Sequence, residues 1–495
     1  MQRRLLACLL ILGICILPLS SCGDGSGTDT PDKSVTNAPV EGEAETTADS
    51  TAETLPAPDL PDIRFDDYEF RILNIDQESM WWAIVNASAE SEIGEVVNDA
   101  IYKRNVNMEE KYGFKIREIA VAAGALNSNV KKSVNAGGDD YDLICPVSNT
   151  IGGLIADGLF VDLNTIPHID LEKPWWNKSL SYNFSIGNKL YFTMSDLLLT
   201  DDENVAILMY NKKMAADLGI DSAEVLYDTV EAGEWTYDKM ASLGKAAIKD
   251  INGNGKHDGE DSFGLIIVDW ASRALVGSSG EAIALKDEND IPYLSCKGER
   301  FVEVYDKVRD ILAPRDLSAR ENNDFSGLTE VMFVNDKGLM CIQVLSCVRL
   351  YKDMGSDFAV LPLPKFNEVQ EKYTSYYLWA TGVAVPVTST NLERTGVILE
   401  ALTAESRLTV VPAYYEVAMA AKYLRDEKSF RMLDIILENR MSDIALEVYN
   451  WGSFTANYNG SLFKADGNFT SLLEKNEGKI QTAMEKTINA YAAAQ

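Results

Sequence analysis

Segments with strand and helix patterns alternate along this chain, and the alternation limits its fold more than any other feature. Tyr68–Ile75 has the composition of a strand, and residues 93–112 carry apolar side chains at helical spacing. Phe114–Ile119 and Asp140–Cys145 are two further strand patterns. Strands that alternate with helices predict an α/β fold with mostly parallel sheets, followed by a helical C-terminal part from about Val397.

Chain length and charge limit the number of lobes and the classes of partner. A chain of 495 residues exceeds one ordinary hydrophobic core, so two lobes or domains are expected. Its 76 acidic and 45 basic residues give a formal net charge of -31. Such a surface repels phosphate backbones and anionic lipid, which argues against nucleic-acid binding and against electrostatic attachment to a membrane.

The N-terminus has the pattern of an export signal. Arg3 and Arg4 precede an apolar run, Leu5–Leu17, which is too short to span a bilayer comfortably. The run ends in Leu19-Ser20-Ser21-Cys22, which resembles the bacterial lipobox. The resemblance implies a lipoprotein signal peptide over residues 1–21 and a Cys22 that carries fatty acyl chains such as palmitate. An ordinary signal peptide with a chance cysteine, or an uncleaved anchor, is the alternative.

An acidic, Thr/Ala/Pro-rich segment follows the signal. Residues 23–63 contain ten acids, one lysine and no aromatic residue. Such a segment buries too little apolar surface to offset the entropy of ordering. We therefore predict that residues 22–63 form a disordered tether, which lets the folded body stand off the membrane surface.

The segment 250–261 has the spacing of a calcium-binding loop. Oxygen-bearing side chains occupy loop positions one, three, five, nine and twelve, and Gly255 occupies position six. We predict a structural Ca²⁺ held by the side chains of Asp250, Asn252, Asn254, Asp258 and Asp261 and by the carbonyl oxygen of Lys256. Position twelve is Asp where an EF-hand has Glu, and a strand pattern follows the loop, so the loop is closer to those of dockerins. A polar Asn-Gly turn with chance acids is the alternative.

A series of short segments, taken in order, is similar to one known family. They are Val97–Ile101, Asp140–Ile144, Gly158–Leu163, Pro174–Asn177, Gly187–Tyr191, Ile207–Lys213, Glu234–Asp238, Phe358–Pro364 and Tyr377–Pro386. Together they resemble the extracellular solute-binding proteins of carbohydrate ABC transporters, the family 1 type that includes maltose-binding protein. The resemblance covers residues 62–495.

The resemblance implies a two-lobed periplasmic-binding-protein-like fold of type II, with the ligand in the cleft between the lobes. Lobe 1 is expected over 64–200 plus 382–424, and lobe 2 over 201–381 plus 425–495. The chain is then expected to cross between lobes near Thr200–Glu203, near Trp379–Gly382 and near Tyr423–Asp426.

Aromatic residues in loops are the main candidates for the ligand site. Sugar rings stack on aromatic planes, and carboxylates bind their hydroxyl groups. Together with the resemblance, this predicts ligand contacts from Trp81, Trp82, Trp175, Trp176, Trp270, Tyr377, Trp379, Asp196 and Glu203. Packing inside or between the lobes is the alternative for each ring.

The function implied is capture of an extracellular solute, a sugar or oligosaccharide, and its delivery to ABC permease subunits by lobe closure. The expected location is the outer face of the cell membrane, through the lipid anchor only. A surface glycan-active enzyme and a lipoprotein that senses ligand for a membrane receptor are the alternatives. The chain has only two histidines, and no catalytic motif or phosphate loop, so we expect no enzyme activity. The four cysteines after Cys22 are expected to be buried thiols rather than disulfides.

Overall fold

A parallel three-stranded sheet forms the core of the first lobe in the computed structural model, which describes residues 56–320, 328–415 and 427–493. Its strands are β1 (Tyr68–Ile75), β2 (Phe114–Val121) and β3 (Leu143–Ile144), in the spatial order β2-β1-β3. β1 and β2 pair over their whole length. Phe70 and Ile72 on β1 are fully buried. The predicted strand at 68–75 is therefore confirmed at both ends.

Helices lie between these strands along the chain and after them. They are α1 (Val96–Tyr112), α2 (Ala123–Asn135), α3 (Ser148–Ala156) and α4 (Lys178–Phe184). α1 begins where the Glu95 carboxylate accepts a hydrogen bond from the Asn98 N–H. It ends at Gly113, whose φ of 64° is the left-handed conformation that favours glycine. β2 starts at the next residue, so a short connection fixes α1 against the sheet.

The described residues after 205 contribute nine strands. They are β4 (Ala206–Asn211), β5 (Phe263–Ile267), β6 (Ala284–Lys286), β7 (Pro292–Leu294), β8 (Ser318–Arg320), β9 (Gly338–Val344), β10 (Phe358–Leu361), β11 (Ser375–Tyr376) and β12 (Arg440–Met441). A five-stranded sheet has the order β10-β4-β9-β5-β8, and β6 with β7 and β11 with β12 form two-stranded pairs. The chain thus has two main sheets, as a two-lobed α/β fold requires.

The five-stranded sheet is mixed, whereas the three-stranded sheet is parallel. β5 pairs in parallel with β8 and β9, whereas β4 is antiparallel to β9 and β10. The reason is the direction of entry. Ala206, the first residue of β4, lies opposite Val344, the last residue of β9, so the chain arrives where the parallel strands end.

The remaining helices lie mostly in the second half. They are α5 (Thr200–Glu203), α6 (Lys212–Leu218), α7 (Ala223–Glu231), α8 (Tyr237–Ala246), α9 (Ala271–Gly277), α10 (Glu299–Leu312), α11 (Leu328–Val334), α12 (Cys347–Leu350), α13 (Leu392–Pro412), α14 (Glu427–Glu438), α15 (Ile444–Glu447), α16 (Thr455–Ser461) and α17 (Phe469–Ala493). Short 3₁₀ turns occupy Leu163–Thr165, Ser295–Lys297 and Trp451–Ser453. From residue 392 onward the described residues are largely helical, as predicted.

Two of the predicted crossings lie side by side. The Thr200 hydroxyl, on α5, donates to the carbonyl oxygen of Thr381 at 2.6 Å. The Leu378 N–H donates to the carbonyl oxygen of Asn204 at 3.1 Å. These contacts join the segments around 200–204 and 378–381 into one buried strip. The third predicted crossing, at 423–426, lies outside the described residues, and the assignment of each segment to a lobe stays a prediction.

Two further properties bear on the expectations from the sequence. Cys145, Cys296, Cys341 and Cys347 are buried, and none of them forms a disulfide with another described residue. In the described part of the chain, no helix has the length and apolar composition needed to cross a membrane.

Candidate functional site

A cavity of about 220 Å³ lies where the strands of the five-stranded sheet end. Val268 follows β5, and Val344 ends β9, so the carboxyl ends of two parallel strands form its floor. Ligands of open α/β sheets bind at such ends. The described residues that line the cavity are Trp81, Trp82, Asn204, Val268, Trp270, Gln343, Val344, Cys347, Leu350, Leu378 and Trp379.

Four indole rings dominate the walls, and they come from both halves of the fold. Trp81 and Trp82 follow β1, Trp379 lies in the strip at 378–381, and Trp270 precedes α9. The ring centroids of Trp82 and Trp379 are 5.2 Å apart with planes at 88°. Those of Trp81 and Trp82 are 5.8 Å apart, also at 88°. The structure therefore brings together four of the nine predicted ligand residues.

Two amide side chains supply polarity to the cavity. Asn204 is 1% exposed, and its side-chain nitrogen has no hydrogen-bond partner among the described residues. An unsatisfied buried donor costs about 1–3 kcal/mol, so a ligand oxygen placed here would gain more than an ordinary hydrogen bond. Gln343 is also buried, and its side-chain oxygen accepts from the Cys347 thiol at 3.5 Å.

Glu203 and Arg349 hold the loop that carries Trp81 and Trp82. Arg349, on α12, donates to the carbonyl oxygen of Trp82 at 2.8 Å and lies 3.5 Å from the Glu203 carboxylate. The other Glu203 oxygen accepts from the N–H of Ile84. Glu203 does not line this cavity; it is fully buried and accepts a hydrogen bond from the aromatic loop, and its contact with a ligand stays a prediction.

Burial dominates the electrostatics of the acidic segment next to the cavity. It raises the pKa of Glu203 to about 7, although Arg349 and the Ile84 N–H lower it. Burial and the neighbouring Asp202 likewise raise the pKa of Asp201 to about 7, and Arg440 opposes this shift. Arg440 pairs with Asp202 at 2.6 Å. The carboxyl groups of Asp202 and Glu203 therefore pair with arginine side chains and do not line the cavity.

Trp175 and Trp176 do not line this cavity, so their contact with a ligand stays a prediction. Each is 2% exposed. Both indole N–H groups donate to one side chain, Glu400 on α13, at 2.8 and 2.9 Å. A buried carboxylate that binds both rings explains how two adjacent tryptophans in a loop are covered.

Tyr377 and Asp196 are also away from the cavity. The Tyr377 hydroxyl is buried, 3.3 Å from the sulfur of Met194. Asp196 lies 3.7 Å from Arg407, and burial raises its pKa well above the ordinary value. Both residues belong to the packing around the crossing strip.

The predicted calcium loop is folded around its own polar side chains. The Asp250 carboxylate accepts from the N–H groups of Gly253 and Gly255 at 2.7 and 2.8 Å. The Asp261 carboxylate accepts from the N–H groups of Ile251 and Asp258, each at 2.9 Å. Positions one and twelve therefore face the loop interior, which fits a calcium loop.

Two observations qualify that fit. The side-chain nitrogens of Asn252 and Asn254 donate to Asp258, so both amides would have to turn their oxygens inward to bind an ion. Moreover, no group of three or more His, Cys, Asp or Glu side chains in the described segments is placed to hold a metal. Asn252 and Asn254, which the predicted calcium site also needs, do not belong to these four residue types.

Sequence reasoning missed the polar residues of the cavity. Gln343 is the one polar residue inside the apolar run of β9, a signal that could have been used. Asn204 follows three consecutive acids in a predicted crossing, but nothing local distinguishes its side chain from theirs.

Comparisons with known proteins agree with this geometry. Residues 106–411 match the family model described as bacterial extracellular solute-binding protein. A search of curated protein sequences gives no match.

Solved structures with a similar fold are distant in sequence. One is the UspC protein of M. tuberculosis, with a TM-score of 0.56, 13% identity, and coverage of 84% of this chain and 100% of that one. Another is a cyclo/maltodextrin-binding protein complexed with maltotetraose, with a TM-score of 0.55, 13% identity, and coverage of 87% of this chain and 97% of that one. A third is the ABC substrate-binding protein Lmo0181 of Listeria monocytogenes in complex with cycloalternan. Its TM-score is 0.52 and its identity 13%, and the match covers 86% of this chain and 98% of that one. At these identities, the likeness concerns the fold.

Proposed function

Because the chain belongs to the bacterial extracellular solute-binding protein family, we propose that it captures a carbohydrate and delivers it to the permease subunits of an ABC importer. The observation that carries the proposal is the cavity walled by Trp81, Trp82, Trp270 and Trp379. Indole faces stack on the C–H faces of sugar rings, and amides bind hydroxyl groups. Two structural neighbours contain maltotetraose and cycloalternan, both of which are glycans.

In the proposed mechanism the protein performs binding and closure, with no chemical step. Trp81 and Trp82 contact the ligand from the loop after β1. Val268 and Val344 contact it from the other side, at the ends of β5 and β9. A ligand that contacts both sides stabilises the closed arrangement, because it binds that arrangement better than an open one. The closed form is then what the permease recognises.

A thermal-unfolding screen tests this proposal. A ligand that binds only the folded protein raises its unfolding temperature. We expect at least one neutral mono- or oligosaccharide to do so at millimolar concentration, and the sugar to be recovered unchanged by mass analysis. A panel of maltodextrins, cyclodextrins, xylo- and galacto-oligosaccharides with no effect would contradict the proposal. A changed product would indicate an enzyme instead.

We also propose that acylated Cys22 anchors the protein at the outer face of the membrane. The apolar run ending at Cys22 and the acidic segment after it support this. Residues 1–55 lie outside the described part of the chain. Two or more acyl chains hold a protein stably where one does not. The test is Cys22→Ala, which should release the protein or leave an unprocessed precursor. A wild-type N-terminus elsewhere, with no lipid in its mass, would refute the anchor.

The third part of the proposal is a structural Ca²⁺ in the loop 250–261. Asp250, Asn252, Asn254, Asp258 and Asp261 would supply side-chain oxygens, and Lys256 its carbonyl. The inward carboxylates at both ends of the loop support this assignment. The ion would fix the connection between α8 and β5.

A further inference from the structure

The cavity is poor in polar groups and has no charge. None of the eleven described residues that line it is Asp, Glu, Lys, Arg or His. The nearest ionic groups are engaged elsewhere: Arg349 binds the Trp82 carbonyl oxygen and Glu203, and Asp269, beside Trp270, pairs with Arg320. An anion, or a strongly hydrated ammonium group, would therefore lose its hydration without gaining an opposite charge or a full set of hydrogen bonds.

Among the residues that line the cavity, Asn204 has a buried side-chain nitrogen with no hydrogen-bond partner in the described part of the chain. Asn204 follows α5 directly, and its backbone carbonyl oxygen accepts a hydrogen bond from the Leu378 N–H. Its side chain is almost fully buried, and the amide nitrogen has no hydrogen-bond partner in the described part of the chain. Such a donor is fixed in place by the crossing strip and can be satisfied by an oxygen atom of a ligand.

The volume limits the size of what is enclosed. The cavity is about 220 Å³, below the range of about 300–1,000 Å³ typical of sites for drug-sized ligands. The fully enclosed part of the ligand is therefore one sugar unit. Any longer chain must leave the cavity beside Trp81, whose side chain is 54% exposed.

Resting on the proposed function, we infer that the cavity selects one uncharged sugar unit, and that Asn204 is the specificity-determining residue that donates a hydrogen bond to it. The indole walls bind the C–H faces of the unit, and Asn204 binds an oxygen atom at its edge. Uronates, amino sugars and sugar phosphates are rejected, because the cavity offers no opposite charge to replace the water they lose.

Tryptophan fluorescence tests the selectivity, because four of the eight tryptophans line the cavity. The mature protein is titrated with glucose, galactose, mannose and xylose, with the matching uronates and 2-amino sugars, and with choline. We expect a saturable change for at least one neutral sugar, and binding at least about ten-fold weaker for its charged counterparts. Equal or tighter binding of a uronate, an amino sugar or choline would overturn the inference of neutrality.

The result also separates this inference from the proposed function. If oligosaccharides raise the unfolding temperature but no single sugar changes the fluorescence, the one-unit inference is wrong and carbohydrate capture stands. If no carbohydrate acts in either assay, both are wrong.

Asn204 is tested by two substitutions. Asn204→Leu has nearly the same size but no donor, and should weaken neutral-sugar binding about ten-fold or more with little change in unfolding temperature. Asn204→Asp replaces the donor by an acceptor, so it should also lower the affinity for the neutral sugar. The difference in affinity between the neutral sugar and its 2-amino counterpart should become smaller. If either folded variant binds the neutral sugar as tightly as the wild type, Asn204 does not determine specificity.

Discussion

Arg349 on α12 donates a hydrogen bond to the carbonyl oxygen of Trp82 at 2.8 Å, and so ties the second sheet's side of the cavity to the aromatic loop after β1. The same guanidinium lies 3.5 Å from Glu203, whose other oxygen accepts the N–H of Ile84. Two side chains therefore fix both sides of the loop. Its aromatic wall is positioned before any ligand arrives, which reduces the entropy lost on binding.

The first prediction concerns this loop. Arg349→Lys keeps the charge but loses the forked donor geometry, so the loop should become more mobile. We expect acrylamide to quench tryptophan fluorescence more strongly in the variant. Arg117→Lys is the matched control, since Arg117 forms only an exposed pair with Glu69. Equal quenching of Arg349→Lys and the wild type would mean that Arg349 does not hold the loop.

The second prediction separates cavity tryptophans from packing tryptophans. Trp379→Ala should weaken carbohydrate binding by roughly ten-fold or more and change the unfolding temperature little, because the ring borders a cavity. Trp175→Phe removes one buried hydrogen bond to Glu400 and should lower stability by about 1–3 kcal/mol with unchanged affinity. Calorimetric titration and thermal unfolding of both variants check this. If Trp175→Phe weakened binding and left stability unchanged, Trp175 would belong to the ligand site.

This contrast shows why the site was only partly predictable from sequence. The periodic pattern predicted β1 and α1, because core-facing positions recur at fixed spacing. The two-lobed class was expected from the chain length and was implied by the family resemblance. Loop tryptophans suit a ligand or a buried partner equally, and the partner of Trp175 and Trp176 lies more than 220 positions away, at Glu400.

Asn204 illustrates a second reason. Its importance follows from the absence of a partner for its amide within the described segments, and that depends on how two distant stretches pack. The position of β4 in the sheet depends in the same way on where the chain enters the second lobe. Local sequence carries neither kind of information.

The third prediction concerns the pH dependence of stability. Burial raises the pKa of Glu400 from 4.5 to about 7, although the two indole N–H groups lower it. The folded protein therefore keeps a proton on Glu400 that the unfolded chain releases. Its contribution to stability is full below pH 4.5 and is lost as the pH rises through 7, by an amount on the order of 2–3 kcal/mol.

Glu400→Gln removes this titration. Urea unfolding at pH 5 and pH 8 should show that the wild type loses more stability over this interval than the variant does. The variant should also be less stable at pH 5, because its amide can accept only one of the two indole hydrogen bonds with good geometry. Parallel pH profiles for the two proteins would contradict the assigned role of Glu400.

The fourth prediction concerns the calcium loop. Asp250→Ala removes the carboxylate that accepts two backbone N–H groups and would be the first ligand. The unfolding temperature of the wild type should be higher in millimolar calcium than in chelator, and this difference should vanish in the variant. Asp157→Ala, which alters an exposed acid elsewhere, should retain it. If the unfolding temperature of the wild type is the same in calcium and in chelator, the loop holds no structural ion.

The central claim is that a carbohydrate is captured between elements of the two halves. Hydrogen–deuterium exchange of the mature protein, with and without a mixture of neutral maltodextrins, tests it most directly. The account predicts simultaneous protection of residues 80–84, 266–270, 343–350 and 376–380, because a ligand in the cavity contacts or closes over all four segments. Unchanged exchange in these segments, or protection confined to one side of the cavity, would contradict it.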